Sequence, residues 1–179
     1  MRQQQPSSKT KKSSPQSLTR EGATQPSLRG RALRLLGRRE FSRQELDKRL
    51  RSFTDDPADL ETLLDDLSER GWLSDARYAD AVVRKRTGQY ARRSIAQELK
   101  RAGVNEEVTA AALAQNLESD PGEEFAAALA LCRRKFRHAP VDQKEKARQI
   151  RFLQSRGYGF GLALRVIQQL ALSGESEQR

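Results

Sequence analysis

The chain has 179 residues and a formal charge of +10 at neutral pH, and 32% of its residues are charged. This length allows one compact domain or several small modules, and the basic excess favours a polyanionic partner such as nucleic acid, an acidic protein surface or an anionic membrane. The sequence shows no N-terminal apolar region of the kind that marks a signal peptide and no apolar run of the roughly 20 residues that span a bilayer, and its single cysteine excludes an intrachain disulfide. We therefore expect a cytoplasmic protein with no membrane partner.

The first 26 residues differ in composition from the rest of the chain. They are rich in Gln, Ser, Thr, Pro and Lys, and five basic residues against one acidic residue give them a charge of +4. Such a segment cannot bury enough apolar surface to offset the entropy of ordering, so residues 1–26 are predicted to be a disordered basic tail. The tail either only solvates the chain or adds non-specific electrostatic affinity for nucleic acid.

Helical patterns begin at Leu28 and continue through most of the chain, whereas strand patterns are almost absent. Apolar residues recur every three or four positions, which is the spacing of an amphipathic helix. Ser42 and Glu45 form a capping box that predicts the start of a second helix. The dipeptide Asp56-Pro57 predicts the start of a third, with an N-cap followed by proline at the first helical position.

The third helix is predicted to end at Gly71, where a left-handed conformation would close it. The two apolar residues that follow, Trp72 and Leu73, are predicted to fold back into the core. For Trp72 the alternative is an exposed platform on which a nucleobase stacks. Tyr78 lies at a buried helical spacing, and we interpret it as a core residue as well.

The pattern then restarts twice. Ser74 predicts the start of a fourth helix, Asn105 the start of a sixth and Asp120-Pro121 the start of a seventh. Restarts at a regular spacing indicate tandem units that bury their faces partly against each other. We therefore predict an all-α protein of three tandem three-helix repeats with an elongated, curved shape. The predicted repeats are residues 27–73, 74–118 and 119–172, followed by a disordered C-terminus at residues 173–179.

Two groups of basic residues are candidate contacts for phosphate or for an acidic protein surface. Cations in a last helical turn are each stabilised by about 0.3–1 kcal/mol through the helix dipole, which would explain several of them without any ligand. Five cations within ten residues exceed this requirement, because like charges repel each other in the free protein. The central basic cluster comprises Arg84, Lys85, Arg86, Arg92 and Arg93, and the second basic cluster comprises Arg133, Arg134, Lys135 and Arg137.

The sequence predicts no metal, cofactor or catalytic site. The acidic residues between positions 55 and 69 lack the spacing of a calcium loop, and we interpret them as a solvated face. Alternatively, they repel DNA, so that the first repeat faces protein. His138 is the only histidine, Cys132 lies on an apolar helix face, and the glycines of residues 157–161 follow a helix rather than the strand of a phosphate loop. We expect a non-enzymatic protein with no small-molecule substrate.

The central part of the chain resembles the signature region of the bacterial RecX proteins, which regulate the RecA recombinase. The likeness covers about residues 28–172 and is most specific at residues 70–104. The matching residues are Ala32-Leu33, Arg39-Glu40-Phe41-Ser42, Glu45-Leu46, Gly71-Trp72-Leu73-Ser74-Asp75, Tyr78-Ala79, Arg86, Ile95, Glu98-Leu99, Gly103-Val104 and Arg156-Gly157-Tyr158. The N-terminal tail is extra, and Ala91 stands where the family often has glycine.

This resemblance implies three tandem three-helix repeats and a partner, the RecA filament on single-stranded DNA. A protein of this family would lie in the groove of the filament and restrain its growth, ATPase, strand exchange and coprotease activity, and so act as a recombination inhibitor in DNA repair and the SOS response. Two other functions stay open. The chain could bind DNA weakly and directly without a recombinase, or it could be a scaffold for an unrelated acidic protein.

Overall fold

The computed structural model describes residues 26–117, 120–136 and 138–176, and the predicted N-terminal tail lies outside these ranges apart from Pro26. The described part contains nine α-helices and one short 3-10 helix and no strand, so the predicted all-α class is confirmed. None of its helices is long and apolar enough to cross a membrane. The helices are α1 (Leu28–Leu36), α2 (Arg43–Leu50), α3 (Pro57–Glu69), α4 (Asp75–Arg86), α5 (Arg92–Arg101), α6 (Glu106–Asn116), α7 (Pro121–Lys135), α8 (Gln143–Ser155) and α9 (Phe160–Ser176), with the 3-10 helix at Arg51–Phe53.

Several of these helices begin at the predicted residues, where a side chain caps the first turn. The Ser42 hydroxyl accepts a hydrogen bond from the Glu45 N–H at 3.1 Å, and Asp56 accepts one from the Ala58 N–H at 2.8 Å. At α7 the start is also as predicted, but Asp120 makes no side-chain cap. The proline that follows it already has the φ angle of a helix and needs no cap on its nitrogen.

Each group of three helices packs around its own buried side chains, which confirms tandem three-helix repeats. The first core comprises Ala32, Phe41, Leu46, Leu50, Leu60, Leu64, Leu67 and Leu73. The second comprises Ala79, Val83, Ile95, Leu99, Val104, Ala112 and Leu113. The third draws on Ala128, Leu131, Cys132, Ile150, Leu153, Tyr158, Ala163, Val166, Ile167 and Leu170, and also on Ala91 of the second repeat.

The first junction between repeats joins the start of α2 to the turn between α5 and α6. The Ser42 hydroxyl donates a hydrogen bond to the Ala102 carbonyl at 2.6 Å. The next residue, Gly103, has a φ of +80°, and a Cβ there would lie 2.7 Å from the Cβ of Gln44. Glycine is therefore required twice over at this turn, by its backbone conformation and by the close approach of α2.

The second junction repeats the same arrangement one unit further along the chain. The Ala91 N–H, just before α5, donates to the Arg156 carbonyl at 2.9 Å. The next residue, Gly157, has a φ of +93°, and a Cβ there would collide with the hydroxyl of Ser94. Ala91 itself has a φ of −66°, so the loop needs no glycine at this position.

One sequence prediction about an aromatic residue is wrong. Trp72 was expected in the core but is 45% exposed, because the turn after Gly71 directs only Leu73 into the first core. Phe160 is also exposed, at 59%, because it is the first residue of α9 and the packed face of that helix begins at Ala163. Helix α9 also continues to Ser176, beyond the predicted end of the third repeat at residue 172.

Candidate functional site

The central basic cluster surrounds the turn between α4 and α5, and the structure assigns one of its arginines to an internal ion pair. The Nε and Nη2 atoms of Arg86 donate to the carboxylate of Glu98 at distances of 2.7–3.2 Å. This hydrogen bonding raises the pKa of the Arg86 guanidinium above its ordinary value, against a smaller opposing effect of burial. Arg86 therefore ties α4 to α5 and has less of its charge available to a partner.

Arg92 has a second structural role. Its Nη1 atom donates to the carbonyl oxygens of Leu113 at 3.2 Å and Leu117 at 3.4 Å. Carbonyl groups in the last turn of a helix have no partner within the helix, and basic side chains commonly satisfy them. Arg92 thus caps the end of α6 from the start of α5.

The other three residues of the central basic cluster are exposed and unpaired. Arg84, Lys85 and Arg93 make no side-chain hydrogen bond or ion pair with any residue that the structure describes. They are therefore the members of this cluster that can meet an external anion without breaking an internal contact.

The second basic cluster occupies the last turn of α7 and lies beside the first. Arg133, Arg134 and Lys135 are exposed there, while Arg137 lies outside the described residues. The Nη2 atom of Arg134 donates to the Gly88 carbonyl at 3.4 Å, across the junction between the second and third repeats. Two clusters that are some 40 residues apart in the sequence are therefore neighbours in the fold.

An open cleft of about 430 Å³ lies beside the second basic cluster, next to the turn that follows α4. We call it the junction cleft, and it is lined by Gln89, Leu131, Arg134, Lys135, Phe152 and Arg156. Its walls come from both repeats, because Gln89 belongs to the turn after α4 and the others to α7, to α8 and to the residue that follows α8. The cleft places cationic side chains next to an aromatic ring, which is a suitable surface for an anion that carries a planar or apolar group.

Arg156 also lines the cleft, although it was not among the contact candidates predicted from the sequence. Its guanidinium lies 4.7 Å from the ring centroid of Tyr90 and 5.4 Å from that of Phe152. The guanidinium of Arg86 also lies over the Tyr90 ring, at 5.2 Å. The sequence signal was a lone arginine before Gly157, and only the contact between repeats shows that it belongs with the basic clusters.

The remaining candidates are structural. The described residues contain no group of three His, Cys, Asp or Glu side chains that could hold a metal ion. Cys132 is buried, and burial raises the pKa of its thiol to about 11, so the reactive thiolate is scarce at neutral pH. Several acidic residues of α3 pair with arginines, as Asp65 does with Arg43 at 2.7 Å and Asp66 with Arg29 at 2.7 Å.

Comparison with known proteins identifies the family. The family description "RecX, second three-helix domain" matches residues 74–113, and "RecX, third three-helix domain" matches residues 122–167. The chain is 41% identical over 143 residues to a regulatory protein RecX of Leptothrix cholodnii, an alignment that covers 80% of this chain and 88% of the relative. It is 39% identical over 134 residues to one from Neisseria meningitidis, covering 75% and 84%.

Solved structures show the same fold. The crystal structure of RecX from Lactobacillus salivarius superposes with a TM-score of 0.62 at 18% identity and covers 81% of this chain and 95% of that one. A second crystal structure of a regulatory protein RecX gives a TM-score of 0.62 at 22% identity, covering 78% and 70%. The sequence identities, the matched three-helix domains and the shared fold agree, and the chain therefore belongs to the RecX family of regulatory proteins.

Proposed function

We propose that this protein is a negative modulator of RecA that binds the groove of the RecA filament on single-stranded DNA. By occupying the groove it restrains filament growth, ATPase, strand exchange and coprotease activity, and it does so in the cytoplasm, during DNA repair and the SOS response, without a catalytic activity of its own. Membership of a family of regulatory proteins supports this role. The observation that carries it is the junction cleft, which Arg134, Lys135 and Arg156 line with cations beside the turn that the central basic cluster flanks.

The unpaired cations around this junction favour a polyanionic partner. Arg84, Lys85 and Arg93 pair with no carboxylate in the part of the chain that the structure describes, and Arg134 and Lys135 line a cleft whose charged lining residues are all basic. Uncompensated like charges repel each other in the free protein, and an anionic partner relieves that repulsion while counterions are released. The phosphates of single-stranded DNA and the carboxylates of a filament surface both meet this requirement.

A direct DNA-binding protein that needs no recombinase is the second candidate, because the same cations would serve it. Titration of the protein onto single-stranded DNA alone and onto RecA-coated single-stranded DNA, at matched salt, distinguishes the two. Tighter binding to the coated strand supports the proposed function. Equal or tighter binding to bare DNA supports the alternative.

The direct test is the DNA-dependent ATPase of RecA with increasing amounts of this protein. We expect inhibition at substoichiometric amounts, because a protein seated in the groove acts on more than one filament subunit. A variant with Lys85→Ala and Arg93→Ala should inhibit less, whereas a control with Arg38→Ala and Lys48→Ala, which removes two exposed cations from the first repeat, should inhibit as the wild type does. Full ATPase activity at an excess of folded wild-type protein would reject the proposal.

A further inference from the structure

Trp72 is the only tryptophan in the chain, and its ring is partly exposed on the first repeat. Two guanidinium groups lie over it, those of Arg29 from α1 and Arg70 from the end of α3, each at 5.7 Å from the ring centroid. The exposed part of the ring is apolar surface that a partner can bury, and tryptophan and arginine are enriched among the residues that dominate binding at protein interfaces.

A shared carboxylate holds the two arginines in place. Asp66 forms an ion pair with Arg29 at 2.7 Å and accepts a hydrogen bond from the Nε of Arg70 at 2.7 Å. The Trp72 carbonyl in turn accepts a hydrogen bond from Arg77 at 3.2 Å. The ring is therefore positioned before any partner arrives, and binding to a positioned side chain loses less conformational entropy than binding to a free one.

We infer that Trp72, Arg29 and Arg70 form a docking site for a protein surface that presents an apolar side chain beside a carboxylate. The apolar side chain covers the ring, and the carboxylate accepts hydrogen bonds from guanidinium nitrogens that Asp66 leaves open. The side chains of Arg29 and Arg70 are 43% and 54% exposed, so these nitrogens are accessible. The inference rests on the proposed function, and the partner is the protein component of the filament, RecA.

The local charge favours protein over nucleic acid at this site. Asp66 already offsets one of the two positive charges, and Glu69 adds an exposed carboxylate to the same helix, whereas Asp65 is paired with Arg43. The site is therefore nearly neutral and offers a phosphate backbone little net attraction, whereas a protein surface needs only one carboxylate placed against a guanidinium. The charged residues that line the junction cleft are, by contrast, all basic. The junction cleft therefore suits a polyanion, and the Trp72 site suits a protein surface.

The test measures the affinity of the full chain for RecA-coated single-stranded DNA and for single-stranded DNA alone. Trp72→Ala should weaken binding to the coated strand by about thirtyfold, the loss expected of an interface hot spot, and leave binding to bare DNA within about twofold. The matched control is Phe160→Ala, which removes an exposed aromatic ring from the third repeat and should change neither affinity.

Two results would overturn the inference: unchanged binding of Trp72→Ala to the coated strand, or an equal loss on bare DNA, which would show that the ring stacks on bases. If circular dichroism shows that Trp72→Ala is unfolded, Arg70→Gln decides in its place. It keeps the ring, removes a carboxylate-binding group and should weaken only the binding to the coated strand. A wild-type protein that fails to bind the coated strand rejects the proposed function and this site together, whereas normal wild-type binding with an unaffected variant rejects this site alone.

Discussion

Arg134 on α7 donates a hydrogen bond to the carbonyl oxygen of Gly88 at 3.4 Å, so the end of the first helix in the third repeat touches the helix-ending glycine of the second. Gly88 has a φ of +70°, which turns the chain sharply after α4 and presents its carbonyl to the next repeat. This contact places the last turn of α7, which carries the second basic cluster, beside the turn after α4 that the central basic cluster flanks.

The first prediction separates two adjacent arginines. Arg92→Ala should lower the free energy of unfolding by about 1 kcal/mol, because the carbonyls at the end of α6 lose a charged donor. Arg93→Ala should leave stability within about 0.5 kcal/mol, because this exposed side chain makes no hydrogen bond or ion pair with the described residues. Urea unfolding of the two variants checks both values, and equal stability would contradict the assigned role of Arg92.

The second prediction concerns salt. For the variant with Lys85→Ala and Arg93→Ala, the log–log slope of affinity against salt concentration should become shallower by about 0.7 for each single-strand phosphate contact that is lost. The control with Arg38→Ala and Lys48→Ala should keep the wild-type slope. The slopes are measured by fluorescence anisotropy with labelled RecA-coated single-stranded DNA at several salt concentrations. Identical slopes for all three proteins would show that Lys85 and Arg93 do not contact phosphate.

The third prediction concerns the glycine of the second junction. Gly157→Ala should destabilise the protein by about 1–3 kcal/mol or more, because the left-handed backbone is strained for alanine and the new methyl group meets Ser94. Gly161→Ala is the control, since it lies in α9 with open space around it and alanine favours the helix. Thermal unfolding should show a lower Tm for the first variant and an equal or higher Tm for the second.

The fourth prediction uses Trp72 as a pH probe. The hydrogen bond from Arg70 lowers the pKa of Asp66 below its ordinary value of 3.8. The stabilising contribution of the ionised carboxylate is therefore present above pH 3.8 and is lost as the pH falls through the lower pKa of the folded state. Trp72 emission should be constant from neutral pH to about 4 and change below it, and Asp66→Asn should remove that change while the protein stays folded by circular dichroism.

The fifth prediction concerns the single cysteine. With a thiol pKa of about 11 and a buried side chain, Cys132 should react with a thiol reagent at pH 7.5 far more slowly than a free cysteine does. In denaturing urea the reaction should reach the rate of an exposed thiol. Rapid labelling of the native protein would show that the core of the third repeat opens readily.

The helices were largely predictable from sequence, and the contacts between repeats were not. Helix starts depend on local chemistry, such as the hydrogen bond between Ser42 and the Glu45 N–H, and therefore appear as short patterns. The environment of Arg156 depends on how the third repeat packs against Tyr90 in the second. No periodicity within one helix contains that information.

The sequence predicted which basic residues form the candidate site, but not which of them have structural roles and which are free to bind a partner. In the sequence nothing distinguishes Arg86 and Arg92 from Arg84 and Arg93. In the structure Arg86 and Arg92 hydrogen-bond to other parts of the protein, whereas Arg84 and Arg93 are unpaired among the described residues. The difference lies in tertiary neighbours, namely a carboxylate on α5 and the carbonyls at the end of α6. The same reason explains Trp72, because the sequence shows an apolar residue after a glycine but does not show which of two neighbours turns inward.

The hydrogen bond from Ala91 to the Arg156 carbonyl has a consequence for the order in which the protein is made. Ala91 is translated with the second repeat, but its methyl group is buried in the third core and its N–H finds its acceptor only there. In a nascent chain that ends after the second repeat, water hydrogen-bonds this N–H and the methyl group stays exposed. Ala91 therefore gains its final contacts only after residue 156 has emerged, although the rest of the second core contains residues of the second repeat alone.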